Sequence, residues 1–139
     1  MSSLRVKGGV KLSGEIRPQG AKNEALQVIC ATLLSESDVI ISNIPDIIDV
    51  NKLIEILKNL GVKVEKLDKG KFCFNAKDIN LEYLNNGDFL KDAKSLRGSI
   101  MLVGPLLSRF GSASIPRPGG DKIGRRRLDT HFINLEKLG

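Results

Sequence analysis

The feature that most constrains the fold of this chain is an internal repeat. The segment AKNEALQVICATLLS (21–35) matches AKSLRGSIMLVGPLLS (93–108) in residue type, and both end in LLS at an offset of 73 (35 to 108). The offset is 71 between the two IP pairs (45 to 116) and 78 between LKNLG and LEKLG (61 to 139), so seven extra residues follow Pro116. This pattern predicts two copies of one supersecondary unit, with an insertion in the second copy that is a natural place for function.

Apolar residues at helical spacing predict two helices in the first copy. The first helix covers residues 22–35, with a buried stripe formed by Ala25, Leu26, Ile29, Cys30, Leu33 and Leu34. The second covers DVNKLIEILKNLG, where Asp49 is expected to be the N-cap and Gly61 the left-handed C-terminal stop. Its stripe is Val50, Leu53, Ile54, Leu57 and Leu60.

Strands are expected between these helices. Residues 3–16 alternate around GG and SG, DVIISNI follows the first helix, and VKVEKL and KFCFNA flank a DKG turn. The unit is therefore β-α-β-α-β-β, which places the chain in the α/β (α+β) class. The second copy is predicted to form a helix from Ala93, a strand at SASIP and a helix ending at LEKLG, so it is incomplete, and we expect the chain to be part of a longer protein.

Composition limits the class of function. The chain is 41% hydrophobic, enough for one globular domain with an aliphatic core, but only 4% aromatic, which counts against a surface that stacks RNA bases. A net charge of +6 favours an anionic partner, whether nucleic acid, an acidic membrane or a phosphorylated small molecule. The N-terminal residues show no continuous apolar stretch, so neither a signal peptide nor a membrane span is predicted and a cytoplasmic location is expected.

The cysteines give no sign of a metal site. Cys30 and Cys73 are two in number and stand in apolar contexts, which favours free, buried thiols.

The segment QGAKNEAL places Lys22 and Asn23 at the start of the first helix, behind Gly20. Free backbone N–H groups and the positive end of the helix dipole make this a possible anion site. The alternative is that Lys22 is solvated and Asn23 only caps the helix.

Arg97 takes the equivalent place in the second copy, near the start of a strongly apolar helix. An arginine there can hold a carboxylate or phosphate through two parallel hydrogen bonds. A surface salt bridge is an equally good interpretation.

The insertion RPGGDKIGRRRLDTHF (117–132) combines flexible glycines with three consecutive arginines. Asp121 is unusual there, because an acid repels phosphate unless it transfers a proton or pairs with a neighbouring arginine. Asp129 and Thr130 are expected to form the N-cap region of the helix that follows, and His131 is expected to be a surface or packing residue of that helix rather than a catalyst.

Seven segments in order make the chain resemble the enolpyruvyl transferase family, in its branch acting on UDP-N-acetylglucosamine. They are GGVKLSGEI, GAKNEALQVICATLL, NIPDIIDV, LKNLGVKV, SLRGSIMLVGPLLSRFG, PGGDKIGRR and LEKLG. The sister branch, which acts on shikimate phosphate, has a GSKS-type turn that this chain lacks. The resemblance implies two domains of repeated β-α-β-α-β-β units, of which residues 21–139 belong to the first, residues 1–20 pack with the second, and the second domain itself is missing.

The resemblance also implies the chemistry and the residues that carry it. The family transfers the enolpyruvyl group of phosphoenolpyruvate to the 3-hydroxyl of UDP-N-acetylglucosamine, an early step of peptidoglycan synthesis, and needs no metal or cofactor. Phosphoenolpyruvate would be bound by Lys22, Asn23 and Arg126. The nucleotide sugar would be contacted by Arg97, Arg126, Arg127, Leu128, Asp129 and Thr130.

The chief departure from the family is Asp121, which stands where most members have a cysteine that donates a proton and is alkylated by fosfomycin. A carboxylic acid donates a proton near neutral pH only if desolvation raises its pKa against the effect of nearby arginines. We therefore predict an enzyme in which Asp121 is catalytic and fosfomycin does not inactivate. A second departure is the run Arg125, Arg126 and Arg127, where one arginine before proline is common.

Two other functions stay open at this point. One is a basic module that binds nucleotides or nucleic acid without catalysis, whose affinity would fall steeply with salt for any polyanion. The other is a shikimate-phosphate enolpyruvyl transferase, which the segment QGAKN disfavours. The main interpretation predicts small-molecule substrates, no nucleic acid and no membrane partner.

Overall fold

The computed structural model of the protein describes residues 3–117 and 127–139. Within them the helices are α1 (Lys22–Ala31), α2 (Ile48–Asn59), α3 (Gly87–Ser95), α4 (Val103–Phe110) and α5 (Asp129–Leu138). The strands are β1 (Val39–Ile41), β2 (Lys63–Asp68) and β3 (Lys71–Asn75). Short 3-10 helices at Thr32–Leu34, Leu81–Asn85 and Arg97–Leu102 extend or link the helices. The mixed α/β class is confirmed.

The three strands form one antiparallel sheet in the order β1-β3-β2. Val39 pairs with Phe74 across one side of β3, and Lys63 pairs with Asn75 across the other. The predicted hairpin around DKG is confirmed. Gly70 supplies its turn at φ +66°, and a β-carbon there would lie 2.9 Å from the carbonyl oxygen of Ile44.

The core lies between this sheet and the helices. Both predicted stripes are buried in it, apart from Leu34, whose exposed fraction is 55%. Leu34 ends the 3-10 helix that follows α1, where each residue turns the chain further than in an α-helix. It therefore rotates off the buried stripe. The C-terminal stop of α2 at Gly61 is confirmed by its φ of +107°.

Two strand predictions were wrong. Residues 3–16 form no strand, and Leu4 and Val6 there are 99% and 91% exposed. The SASIP segment also forms none, although Ala113 and Ile115 pack partly against the core. A strand needs a neighbouring strand to take its hydrogen bonds, and none in the described part of the chain pairs with either segment. The unit observed is therefore α-β-α-β-β.

The predicted start of the second-copy helix at Ala93 was also wrong. Ala93 lies near the end of α3, the chain becomes extended at Leu96, and the repeated helix begins at Arg97 as a 3-10 helix that continues into α4. Asn86 starts α3, because its side chain accepts a hydrogen bond from the backbone N–H of Asp88 at 3.0 Å. The buried Ser99 hydroxyl donates to the Ala93 carbonyl at 2.8 Å and fixes the break.

Both cysteines are free thiols, as predicted, but only one is fully buried. Burial raises the pKa of Cys30 to about 12, so this thiol stays protonated at neutral pH. Cys73 was predicted to be buried and is only partly so, because it shares a sheet face with its exposed partners Ile40 and Glu65, whereas the next residue, Phe74, faces the core. Partial desolvation, then the charges of Asp38 and Glu65, raise the pKa of Cys73 as well.

Candidate functional site

The start of α1 is held in place by a close backbone contact. Gly20 lies so near residue 43 that a β-carbon on it would overlap the carbonyl oxygen of Asn43. Ala21 is the extended N-cap and offers no side-chain hydrogen bond to the helix. Lys22 is thus the first residue of a helix whose opening N–H groups have no side-chain cap.

Replacement of Gly20 by alanine is expected to lower the free energy of unfolding by about 1–3 kcal/mol, the usual cost of overpacking. The added methyl group would collide with a backbone oxygen, which cannot rotate away as a side chain does. Urea unfolding measures the change. Gly104→Ala is the matched control, since its β-carbon meets nothing within 4 Å and alanine favours helix α4. Equal stability of the two variants would contradict the prediction.

Lys22 is paired across two helices. Its ammonium forms an ion pair with the carboxylate of Asp49, which lies in the first turn of α2. The side chains are 48% and 34% exposed, so the pair is accessible to solvent. The solvated Lys22 considered from the sequence is therefore wrong in part, because the ammonium has a partner.

Asn23 and Asp49 do not cap their helices, so the cap predicted at Asp49 and the alternative of a capping Asn23 are both wrong. The N-caps are Ala21 and Ile47, and neither makes a side-chain capping bond. Asp49 is instead the second residue of α2. A carboxylate in the first turn still stabilises a helix through its dipole, and here it also reaches Lys22.

Arg97 opens the 3-10 helix of the second copy and is half-buried. The residue after it, Gly98, packs on α1: a β-carbon there would lie 2.9 Å from Cδ1 of Leu26. This contact is one residue from Arg97 and about one turn from Lys22 along α1. The repeated helices therefore lie against each other near the starts that carry the two cations.

The C-terminal part of the insertion, from Arg127 onward, is described and leads into α5. Arg127 and Asp129 form an exposed ion pair with Nε and Oδ2 3.7 Å apart. Asp129 and Thr130 were expected to form the N-cap region, but the N-cap is Leu128 and makes no side-chain capping bond. His131 is exposed, so of its two predicted positions, surface or packing, it takes the surface one.

The remaining predicted site residues, Asp121 and Arg126, lie outside the described residues, as do Gly119, Gly120, Gly124 and Arg125. A hollow of about 560 Å³ is bordered by Asn43, Asn51 and Lys69. None of the described residues that were predicted to form the site lines this hollow. Within residues 3–117 and 127–139, no group of three or more His, Cys, Asp and Glu side chains is arranged to hold a metal ion. No helix in those residues is long and apolar enough to cross a membrane.

Two charged contacts were not predicted from the sequence. One joins helices α1 and α2, and the other joins the second copy of the repeat to the first. Asp49 was assigned to a capping role, so its bond to Lys22 was not foreseen. Arg109 was not considered, yet its guanidinium donates to the Leu33 and Ala76 carbonyls at 2.9 and 2.6 Å. Only its position after an apolar helix run, before Gly111, could have suggested a cation at a helix C-terminus.

Comparison with known proteins decides the family. The model of the EPSP synthase (3-phosphoshikimate 1-carboxyvinyltransferase) family matches residues 6–139. The chain belongs to this family. Enolpyruvyl transferase NikO from Streptomyces tendae has a similar structure, with a TM-score of 0.60 and 26% identity over 76% of this chain and 24% of that one. The predicted enolpyruvyl transferase fold is confirmed.

Within the EPSP synthase family, the chain is similar to proteins named UDP-N-acetylglucosamine 1-carboxyvinyltransferase. It is 57% identical over all 139 residues to the protein of Bacteroides fragilis, and 56% and 55% identical to those of Bacteroides thetaiotaomicron and Porphyromonas gingivalis. The chain spans 32% of the length of each of these relatives.

Proposed function

We propose that an enzyme carrying this chain transfers the enolpyruvyl group of phosphoenolpyruvate to the 3-hydroxyl of UDP-N-acetylglucosamine and releases phosphate. The observation that carries the proposal is 57% identity over the whole chain to a relative with that activity in its name. The reaction would occur in the cytoplasm as a step of peptidoglycan precursor synthesis. The chain would supply part of the first domain, and a second domain would complete the site.

The proposed reaction is an addition followed by an elimination. An acid protonates C3 of phosphoenolpyruvate, and the sugar hydroxyl adds to C2 and gives its proton to a base, which leaves a tetrahedral phospho-ketal. A base then removes a proton from C3, the C2–O bond to the phosphoryl group breaks, and phosphate and the enolpyruvyl ether of the sugar are released. Asp121 would donate the first proton. Lys22 and Arg126 would bind the phosphoryl group and stabilise the negative charge as it departs.

The geometry of α1 supports the role given to Lys22. An ammonium group and uncapped helix N–H groups stand together at its start, and both favour an anion. Asn23 lies in the same turn. Arg97 and the stretch Arg127, Leu128, Asp129 and Thr130 are proposed to contact the nucleotide sugar, with the charged members on exposed or half-buried positions.

A chimera tests the proposal directly. This chain replaces the matching 139 residues of the Bacteroides fragilis relative, and release of phosphate from phosphoenolpyruvate is followed with UDP-N-acetylglucosamine or shikimate 3-phosphate as acceptor. We expect turnover only with the nucleotide sugar, because the close relatives carry that name. Turnover with shikimate 3-phosphate alone would assign the chain to the sister activity.

The same chimera addresses the binding-module alternative. Its affinities for UDP-N-acetylglucosamine and for plain duplex DNA are measured at two salt concentrations. A polyanion-binding module would bind DNA with an affinity that falls steeply with salt. An inactive chimera with that behaviour would contradict the transferase proposal.

A further inference from the structure

Lys22 occupies a position that is unfavourable for helix stability. A cation in the first turn lies at the positive end of the helix dipole, and the start of α1 has no side-chain cap to offset it. Residues that break a local rule of this kind are most often found where function requires them. Some other group must therefore balance this concentration of positive charge when no anion is bound.

Asp49 is the group that does so. It lies in the first turn of α2, where a carboxylate is favoured by that helix's own dipole, and it contacts the Lys22 ammonium across the two helices. Both helices bury their stripes in one core, which fixes the two starts relative to each other. Neither side chain is fully buried, so a ligand from solvent has access to the pair.

We infer that Asp49 is a positioning residue: it holds the Lys22 ammonium in one place and shares it with the phosphoryl group when phosphoenolpyruvate binds. The inference rests on the proposed function. A solvent-accessible ion pair is weak, so a dianion can draw the ammonium toward itself. The pair nevertheless removes freedom from the flexible lysine side chain before the substrate arrives, and such preorganisation favours the reaction.

The carboxylate has a second consequence, since it repels the bound phosphate product. Removing its charge should strengthen phosphate binding while the lysine becomes less well placed for the reaction. Loss of the charge should therefore strengthen phosphate binding and at the same time slow turnover. A carboxylate with only a structural role would not separate them in this way.

The matched control is Glu55 on the same helix. Its Oε1 lies 2.9 Å from Nζ of Lys58, one turn further along, and both side chains are exposed. Glu55→Gln removes the same charge from α2 and breaks a lysine pair of the same type. It leaves the start of α1 untouched.

The experiment uses the chimera described above and its Asp49→Asn, Asp49→Glu and Glu55→Gln variants. We expect Asp49→Asn to lower kcat about tenfold and to tighten inhibition by inorganic phosphate about threefold or more. Asp49→Glu should recover most of kcat, and Glu55→Gln should change neither quantity. In a Lys22→Met background, Asp49→Asn should change kcat less than about twofold, because the two residues act as a unit. Thermal unfolding checks that each variant is folded, and Asp49→Ser replaces the asparagine variant if that one is not.

The outcomes separate the two claims. A parent chimera that binds no phosphoenolpyruvate and releases no phosphate would overturn the proposed function and this inference with it. An active parent whose Asp49→Asn variant keeps its kcat and its phosphate inhibition would overturn the inference alone. Weaker phosphate inhibition in that variant would also overturn it.

Discussion

Replacement of Arg109 by methionine is expected to lower the free energy of unfolding by about 3–5 kcal/mol. The guanidinium donates to the carbonyls of Leu33 and Ala76, two residues with no exposed surface. Methionine keeps much of the apolar stem but donates no hydrogen bond. Each buried carbonyl left without a partner costs about 1–3 kcal/mol, and hydrogen bonds to a charged group are at the strong end of that range.

The size of this effect depends on the carbonyls and not on the ion pair. Arg109 also lies 3.2 Å from Oε1 of Glu36, but that glutamate side chain is 71% exposed, so the pair adds little. Glu36→Gln should therefore cost less than about 1 kcal/mol. Arg109→Lys should fall between the two: an ammonium can donate to two acceptors, but the lysine side chain is one bond too short to place its nitrogen where Nη1 of Arg109 meets both carbonyls.

Urea unfolding of the parent and variants measures these differences. Arg17→Met is the matched control, since Arg17 pairs with Glu15 where both side chains are more than four-fifths exposed, at 91% and 82%. It should change stability by less than about 0.5 kcal/mol. A cost below about 1 kcal/mol for Arg109→Met would show that the two carbonyls find other partners.

Arg109 also illustrates what sequence can and cannot predict here. It lies on α4 of the second copy and ties that helix to the 3-10 helix after α1 and to the end of β3 in the first. Its acceptors are 76 and 33 residues away in sequence. Helical periodicity shows which face of one helix is apolar and carries no information about partners so far apart in sequence. The two stripes and the β2–β3 hairpin were predicted correctly, because burial and turn chemistry are local signals.

The errors in the second copy have the same origin. The repeat suggested a helix from Ala93, because AKS matches AKN, although the local capping signal was Asn86 with its bond to Asp88. The role of Asp49 was predicted from helix α2 alone, but its carboxylate pairs with Lys22 of helix α1. Sequence therefore identified the helix start that carries Lys22, but not the carboxylate that faces it.

In the chimera, Asp121→Asn is expected to lower kcat about a hundredfold or more while the KM for phosphoenolpyruvate changes little. Asp121 lies outside the described residues, so this prediction rests on its place in the insertion and on the proposed reaction. A proton donor acts in the transition state, and its loss removes stabilisation that the ground state does not share. Asparagine keeps the size and polarity of the side chain but has no acidic proton. Asp78→Asn, an exposed aspartate paired with Lys63, is the control and should leave kcat unchanged.

The identity of the donor also determines how the enzyme meets an electrophile. A thiolate is a strong nucleophile toward an epoxide, and a carboxylate is a weak one. The parent chimera should therefore keep its activity after incubation with fosfomycin, whereas Asp121→Cys should lose activity with time and gain the mass of the inhibitor on residue 121. Mass spectrometry of the intact protein detects the adduct. A parent chimera alkylated at Asp121 would contradict the prediction that fosfomycin does not inactivate it. An Asp121→Asn variant with full turnover would show that Asp121 is not the proton donor, and the proton would then have to come from another group.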